Sequence, residues 1–240
     1  MAKPRASRTL ENVARRYGFV HVAGADEVGR GCLAGPVVAG AVILDPSRYV
    51  AGVADSKVLT AADRERLFDR IVGAAVSWQV SIVDAAEIDR LNIHRASLEA
   101  MRRAIQALVP LPGFVLVDGF RVPGLAMAQK AVIGGDRRCT AVAAASILAK
   151  VTRDRLMRDL HQLDPRYGFD RHKGYATADH LDAVSRFGYS DAHRKSFRPP
   201  TLFDTMPADE ADGHQVLGLT AELTPPLNAG PAADATPRKP

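Results

Sequence analysis

At 240 residues, with 47% hydrophobic and 25% charged side chains, the chain has the composition of a soluble globular protein and enough length for one substantial domain. No apolar run approaches the roughly 20 residues of a membrane span, and Met1 to Arg16 lacks the apolar core of a secretory signal. The net charge of +5 divides into −3 over residues 207–240 and +8 over residues 1–206, a basic body suited to a polyanionic partner, although many basic proteins bind no nucleic acid.

The segment 1–18 reads as a basic N-terminal arm, frayed or briefly helical. Phe19–Ala25 predicts a strand ending at Asp26 and Glu27, and Val37–Leu44 a second one closed by Asp45 and Pro46. Thr60 caps a helix expected over Ala61–Ala75, with Leu67, Ile71 and Ala74 on one face. A strand over Val76–Val83, a short helix over Ala85–Leu91 and a longer one over Ile93–Val109 follow, the last stopped by Pro110 and Pro112. Phe114–Val117 predicts a buried strand ending at Asp118, and Ala126–Ile133 a weaker one. Ala141–Leu163 is the most helical piece, and Thr177–Phe187 is the last helix, with Gly188 as its stop. Residues 19–205 therefore form one α/β domain, a mixed sheet flanked by helices. Residues 206–240, rich in Pro and Ala, read as a disordered acidic tail. Two cysteines, Cys32 and Cys139, suit a reducing cytoplasm, and a monomer is the default expectation.

Four acids fall at or near predicted strand ends: Asp26, Glu27, Asp118 and Asp136. Clustered carboxylates repel unless a cation neutralises them, and oxygen-only ligands favour Mg²⁺ or Mn²⁺. Two such ions can hold the attacking and leaving oxygens of a phosphoryl displacement. Taken singly, each acid is more often a solvated loop residue. Asp26 and Glu27, however, run into Gly29-Arg30-Gly31, where glycines allow close backbone approach and Arg30 offers a forked donor for phosphate. A dinucleotide fingerprint would need a helix directly after these glycines; Pro36, Val37 and Val38 stand there instead.

The run Ala23-Gly24-Ala25-Asp26-Glu27-Val28-Gly29-Arg30-Gly31 resembles the N-terminal signature of the ribonuclease HII family. Asp55-Ser56-Lys57, Leu91-Asn92-Ile93, Val117-Asp118-Gly119, Gly135-Asp136, Ala143–Asp154, His172-Lys173-Gly174-Tyr175 and Arg194-Lys195-Ser196-Phe197 extend the resemblance, in the family's order, over about residues 20 to 200. The resemblance implies a ribonuclease H-like mixed β-sheet flanked by α-helices, with a C-terminal helical region. It implies an endonuclease that cuts the RNA strand of RNA–DNA hybrids and incises 5′ of ribonucleotides embedded in duplex DNA, leaving a 3′-hydroxyl and a 5′-phosphate. Asp26, Glu27, Asp118 and Asp136 would bind Mg²⁺ or Mn²⁺ in a two-metal-ion mechanism. Gly29, Arg30 and Gly31 would lie against the ribonucleotide, whose 2′-hydroxyl marks it as RNA, and Tyr175 would stack on the next deoxyribose. Lys57 would approach the scissile phosphate, with Ser146, Lys150 and Arg153 as further phosphate contacts.

Without the resemblance, Lys57 is equally a solvated lysine, and Lys150–Asp154 an ordinary i,i+4 surface pair. Gly134 stands where the family often has lysine, a loss that Arg137 and Arg138 could restore, and Cys32 reads as a packing residue. Gln215-Val216-Leu217-Gly218-Leu219 is an apolar island in the tail that could dock on a sliding clamp. Ribonuclease HIII would need an additional N-terminal domain, for which the roughly 18 residues before the first strand leave no room. The other functional class is a hybrid-binding protein without catalysis, which would be expected to lack one of the acids.

Overall fold

The computed structural model describes residues 6–53 and 56–197, so Asp55 and the tail with its apolar island lie outside the described residues. The elements are α1 (Thr9–Arg16), β1 (Val22–Val28), β2 (Val37–Leu44), α2 (Ala61–Ala74), β3 (Ala75–Val83), α3 (Ala85–Leu91), α4 (Ile93–Gln106), β4 (Phe114–Asp118), β5 (Ala128–Val132), α5 (Gly135–Arg138), α6 (Thr140–Leu163), α7 (Phe169–His172) and α8 (Ala178–Phe187). Helix starts follow side-chain caps: Thr60, Asp84, Asn92 and Thr177 accept the amides of Asp63, Glu87, Arg95 and His180. Among the described residues, no helix is long and apolar enough to cross a membrane.

The five strands lie in the order β3-β2-β1-β4-β5, antiparallel among β3, β2 and β1 and parallel among β1, β4 and β5. This is the expected mixed sheet. The interior strand β2 is buried along its whole length, which explains its unbroken apolar sequence. On one face Val22, Val42 and Leu116 pack against α6 and α2; on the other Ala23, Ala41, Ile43 and Val115 pack against α4. A third small core joins Ala34 and Met157 to Tyr167, Phe169 and Val184 of the C-terminal helical region.

Among the differences from expectation, three have a clear local setting. The first strand runs through Asp26 and Glu27 instead of stopping before them, because Gly40 and Ala39 of β2 continue the ladder opposite. Asp136 sits in the first turn of the short helix α5, not at a strand end. Helix α4 stops at Gln106 instead of Val109: Pro110 disfavours helical backbone at Val109, whose amide bonds to Ser77 Oγ. At the N-terminus, the buried Glu11 of α1 accepts the amide of Ala141, supplying a carboxylate to the start of α6.

The sheet meets α6 without intervening side chains at two points. A Cβ on Gly24 would come within 2.2 Å of Ala141 backbone, and one on Gly40 within 2.4 Å of the Ala145 carbonyl oxygen. The alanine run of α6 presents the complementary flat surface, so helix and strands approach backbone to backbone. Gly40→Ala is therefore expected to cost about 3 kcal/mol by overpacking, read as a fall in the urea midpoint at constant slope. Gly31→Ala, whose added Cβ meets nothing within 4 Å, should stay within about 0.5 kcal/mol of wild type.

Candidate active site

The parallel pairing of β1 with β4 sets Asp26 and Glu27 beside Asp118, and the turn after β5 brings Asp136 to the same place. Asp26 is 5% exposed and Asp136 4%. Burial first, then the charges of Glu27 and Asp118, hold the Asp26 carboxyl well above the usual carboxylate range, against a hydrogen bond from Ser146. Burial also raises Glu27, opposed by Arg30, whose Nη1 donates to Glu27 Oε1 at 3.1 Å. Asp118 is raised by burial and by Asp136, and lowered by the Gly135 amide, 2.6 Å from its Oδ1, and by Lys57. The Lys57 ammonium donates to Asp136 Oδ2 at 3.3 Å. Burial and mutual repulsion thus disfavour the charged forms of Asp26, Glu27 and Asp118.

Glu27 Oε2 is buried and has no hydrogen-bond partner. An orphaned carboxylate oxygen beside two other repelled carboxylates fits a hard divalent cation, which would offset both desolvation and repulsion. Among the described residues, no three His, Cys, Asp or Glu side chains stand together in a geometry that holds a metal ion as they are. Local donors account for that: Arg30, the Gly135 amide and Lys57 hold Glu27, Asp118 and Asp136 respectively.

The glycine loop is built by two buried arginines. Arg194 donates to the carbonyls of Gly29, Arg30 and Gly35 at 2.7, 2.9 and 3.0 Å. Arg153 donates to those of Pro36, Ala34 and Lys173 at 2.9, 3.1 and 2.9 Å. In a trans peptide the N–H points opposite the preceding C=O. Turning the Gly29 and Arg30 carbonyls inward onto Arg194 therefore turns the amides of Arg30 and Gly31 outward. Neither amide donates a hydrogen bond to the chain among the described residues. Outward amides beside a guanidinium make an anion-facing surface, and Gly31 leaves its approach open.

Residues 23–199 match the family model described as Ribonuclease HII. The chain belongs to the ribonuclease HII family. It is 51% identical over 200 residues to the ribonuclease HII of Nocardia farcinica, covering 82% of this chain and 80% of that one. The fold is similar to ribonuclease H2 from Pyrococcus horikoshii, with a TM-score of 0.63, 28% identity and coverage of 74% and 94%. It is similar also to a chain from the PCNA:RNase HII complex of Archaeoglobus fulgidus, with a TM-score of 0.64, 26% identity and coverage of 75% and 96%. The activity is that of a ribonuclease HII: metal-dependent hydrolysis of phosphodiester bonds in the RNA of RNA–DNA hybrids.

The structure distributes the other expected ribonuclease HII site residues unevenly. Lys57 joins the acids, and Tyr175 lies 42% exposed on the loop between α7 and α8, with burial and then the Cys32 thiol raising its phenol above the ordinary range. Ser146 is buried; it bonds to Ser56 Oγ at 3.0 Å and to Asp26, so it supports a carboxylate and not a phosphate. Lys150 is held by Asp154 at 2.6 Å. Arg153 departs from the expected phosphate contact: it is fully buried and faces backbone carbonyls, because it occupies the interior stripe of α6 with Ala149 and Met157. Gly29 is needed at φ +91°, where a Cβ would strike Arg153 at 2.2 Å, so this glycine serves internal packing. The Arg137 guanidinium fills the space beside Gly134 and stands 4.0 Å from Asp136, placing positive charge near the position where the family often has lysine. Arg194, whose guanidinium burial pushes down to about 10, is the residue the sequence reading assigned no role; its short motif was the available signal.

A carboxyl raised in the folded state above its unfolded value contributes stability that is complete below the unfolded pKa and lost as pH rises through the folded one. Asp26→Asn is therefore expected to stabilise the metal-free protein by about 1–2 kcal/mol at neutral pH. The gain should vanish below the ordinary carboxylate range, as denaturant titrations at neutral and acidic pH would show.

Proposed function

We propose that this chain incises 5′ of single ribonucleotides embedded in duplex DNA, with Asp26, Glu27, Asp118 and Asp136 holding Mg²⁺ or Mn²⁺. The observation that carries the reading is the buried, mutually repelling carboxylate set with an unpartnered Glu27 oxygen. A bound divalent ion supplies charge neutralisation at the attacking and leaving oxygens. The chain's own residues do the rest. Ser146 and the Gly135 amide orient Asp26 and Asp118, and Lys57 brings a cation to the edge of the site.

The amides of Arg30 and Gly31 would meet the ribonucleotide's sugar and phosphate, where a 2′-hydroxyl can be recognised. Tyr175 would stack on the following sugar, which a second 2′-hydroxyl would crowd, giving a preference for a ribonucleotide followed by DNA. The tail segment Gln215–Leu219 is the part we assign to a sliding clamp, a reading supported by the Archaeoglobus relative solved with PCNA. A cytoplasmic monomer fits these roles.

A labelled DNA duplex with one ribonucleotide, incubated with Mg²⁺, Mn²⁺ or EDTA, tests the central claim. Incision 5′ of the ribonucleotide with either ion, none with EDTA, and a loss of more than about 100-fold in Asp118→Asn are expected. Binding of the duplex with no cutting under either ion would replace catalysis with hybrid binding.

A further inference from the structure

Behind the loop that carries Tyr175 lies a cluster of three histidines that the chemistry above does not use. His180 and His193 are buried, and the partly buried His172 stacks on His180 with ring centroids 4.4 Å apart. His180 Nε2 stands 3.1 Å from His193 Nε2. At one end, His180 Nδ1 is 2.9 Å from the carbonyl oxygen of Tyr175. At the other, the Ser190 amide and hydroxyl stand 3.0 and 2.9 Å from His193 Nδ1.

These end groups fix the polarity of the whole chain. A carbonyl only accepts and a backbone amide only donates. Tyr175 therefore requires an N–H at His180 Nδ1, which in a neutral ring leaves a lone pair at Nε2. His193 must then donate from its Nε2, and its Nδ1 lone pair accepts from Ser190. The chain closes with both rings neutral, the Ser190 hydroxyl donating to His193 Nδ1 beside the amide, and a proton added to His180 would set its Nε2–H against that of His193. His172 is fixed in the same way, donating from Nε2 to the Tyr167 carbonyl at 2.6 Å and accepting the Gly174 amide at Nδ1 at 3.2 Å.

The surroundings favour neutrality. Burial lowers all three rings, His193 to about 4. The charged groups facing the cluster are Asp164 toward His193, and Arg171, Asp170 and Asp179 toward His172.

We propose that Ser190, His193 and His180 form a neutral, one-directional hydrogen-bond relay that holds the Tyr175 carbonyl, with His180 the positioning residue that aims the tyrosine ring at the substrate. This rests on the substrate-stacking role given above to Tyr175. The same support reaches the glycine loop: the Gly174 carbonyl accepts the amides of Leu33 and Ala34, and Ala34 pairs with His193 in an isolated bridge. A partly exposed ring is thus carried on backbone pinned from inside, by the Thr177 amide at 2.8 Å as well as by His180. Orientation is set before substrate arrives.

The test has two arms on the full chain. Nitrogen-15 NMR of the unmodified protein at neutral pH should show His180 as the Nδ1–H tautomer and His193 as the Nε2–H tautomer. Finding His180 protonated at Nε2, or either ring charged, overturns the relay whatever the enzyme does. The second arm measures cleavage of a single ribonucleotide in DNA relative to an all-RNA hybrid, for wild type, Tyr175→Ala, His180→Leu and His180→Asn. His180→Leu should lower that ratio by about tenfold, like Tyr175→Ala, while His180→Asn, whose amide can still donate to the Tyr175 carbonyl, restores it. A ratio unmoved by His180→Leu but lowered by Tyr175→Ala ends the positioning role and leaves the stacking reading intact. A ratio unmoved by Tyr175→Ala removes the stacking reading, and the positioning role with it.

Discussion

The distance between α6 and the two strands beneath it governs where every group in the active centre stands. Gly24 and Gly40 remove the side chains that would hold the helix off the sheet, and the alanine run of α6 does the same from the other side. With backbones this close, Ser146 reaches Asp26, and Arg153 two turns further along reaches the carbonyls of Ala34 and Pro36. Adding one methyl at either glycine would move the helix relative to both the acids and the glycine loop. Packing and chemistry here are one constraint, since interiors this dense do not deform continuously.

The electrostatics divide into two opposite halves. On one side, carboxylates are gathered in a desolvated place where their charged forms are disfavoured, and the protein gives up stability to keep them there. On the other, two arginines are buried under the glycine loop and satisfied by six backbone carbonyls. The first arrangement invites a cation. The second turns amides toward an anion, and the adjacency of the two matches a substrate whose phosphate must meet metal and protein together.

Much of this was legible in the residues. Continuous apolar runs gave β2, alternating ones gave β3, and the side-chain cap at Thr60 marked a helix start. The four acids were legible as a set because strand ends converge at a sheet's edge, and the structure couples all four electrostatically. What stayed hidden had physical causes. Asp26 and Glu27 looked like the end of a strand because acids interrupt an apolar run, yet pairing depends on the partner strand, and β2 continues. The four-residue helix at Asp136 is too short to leave a period. Arg153 was expected at a phosphate from the family resemblance alone; its position four residues from both Ala149 and Met157 was the sign that it lies on the buried stripe.

Buried arginines and buried histidines solve the same problem in different ways. Where the amides of Arg30 and Gly31 make no bond within the described residues, the carbonyls of the same segment are held from within. Where the carbonyls are many and close, beneath Gly29 to Pro36, a permanently charged fork serves several at once. Where a single carbonyl must be fixed, beneath Tyr175, a neutral ring suffices and avoids placing a third buried cation near Arg153 and Arg194. Burial chiefly, with the Arg153 charge behind it, already lowers Arg194, so a further buried cation would be disfavoured. The neutrality of the histidine cluster thus follows from its burial and from the carbonyl and amide fixed at its two ends.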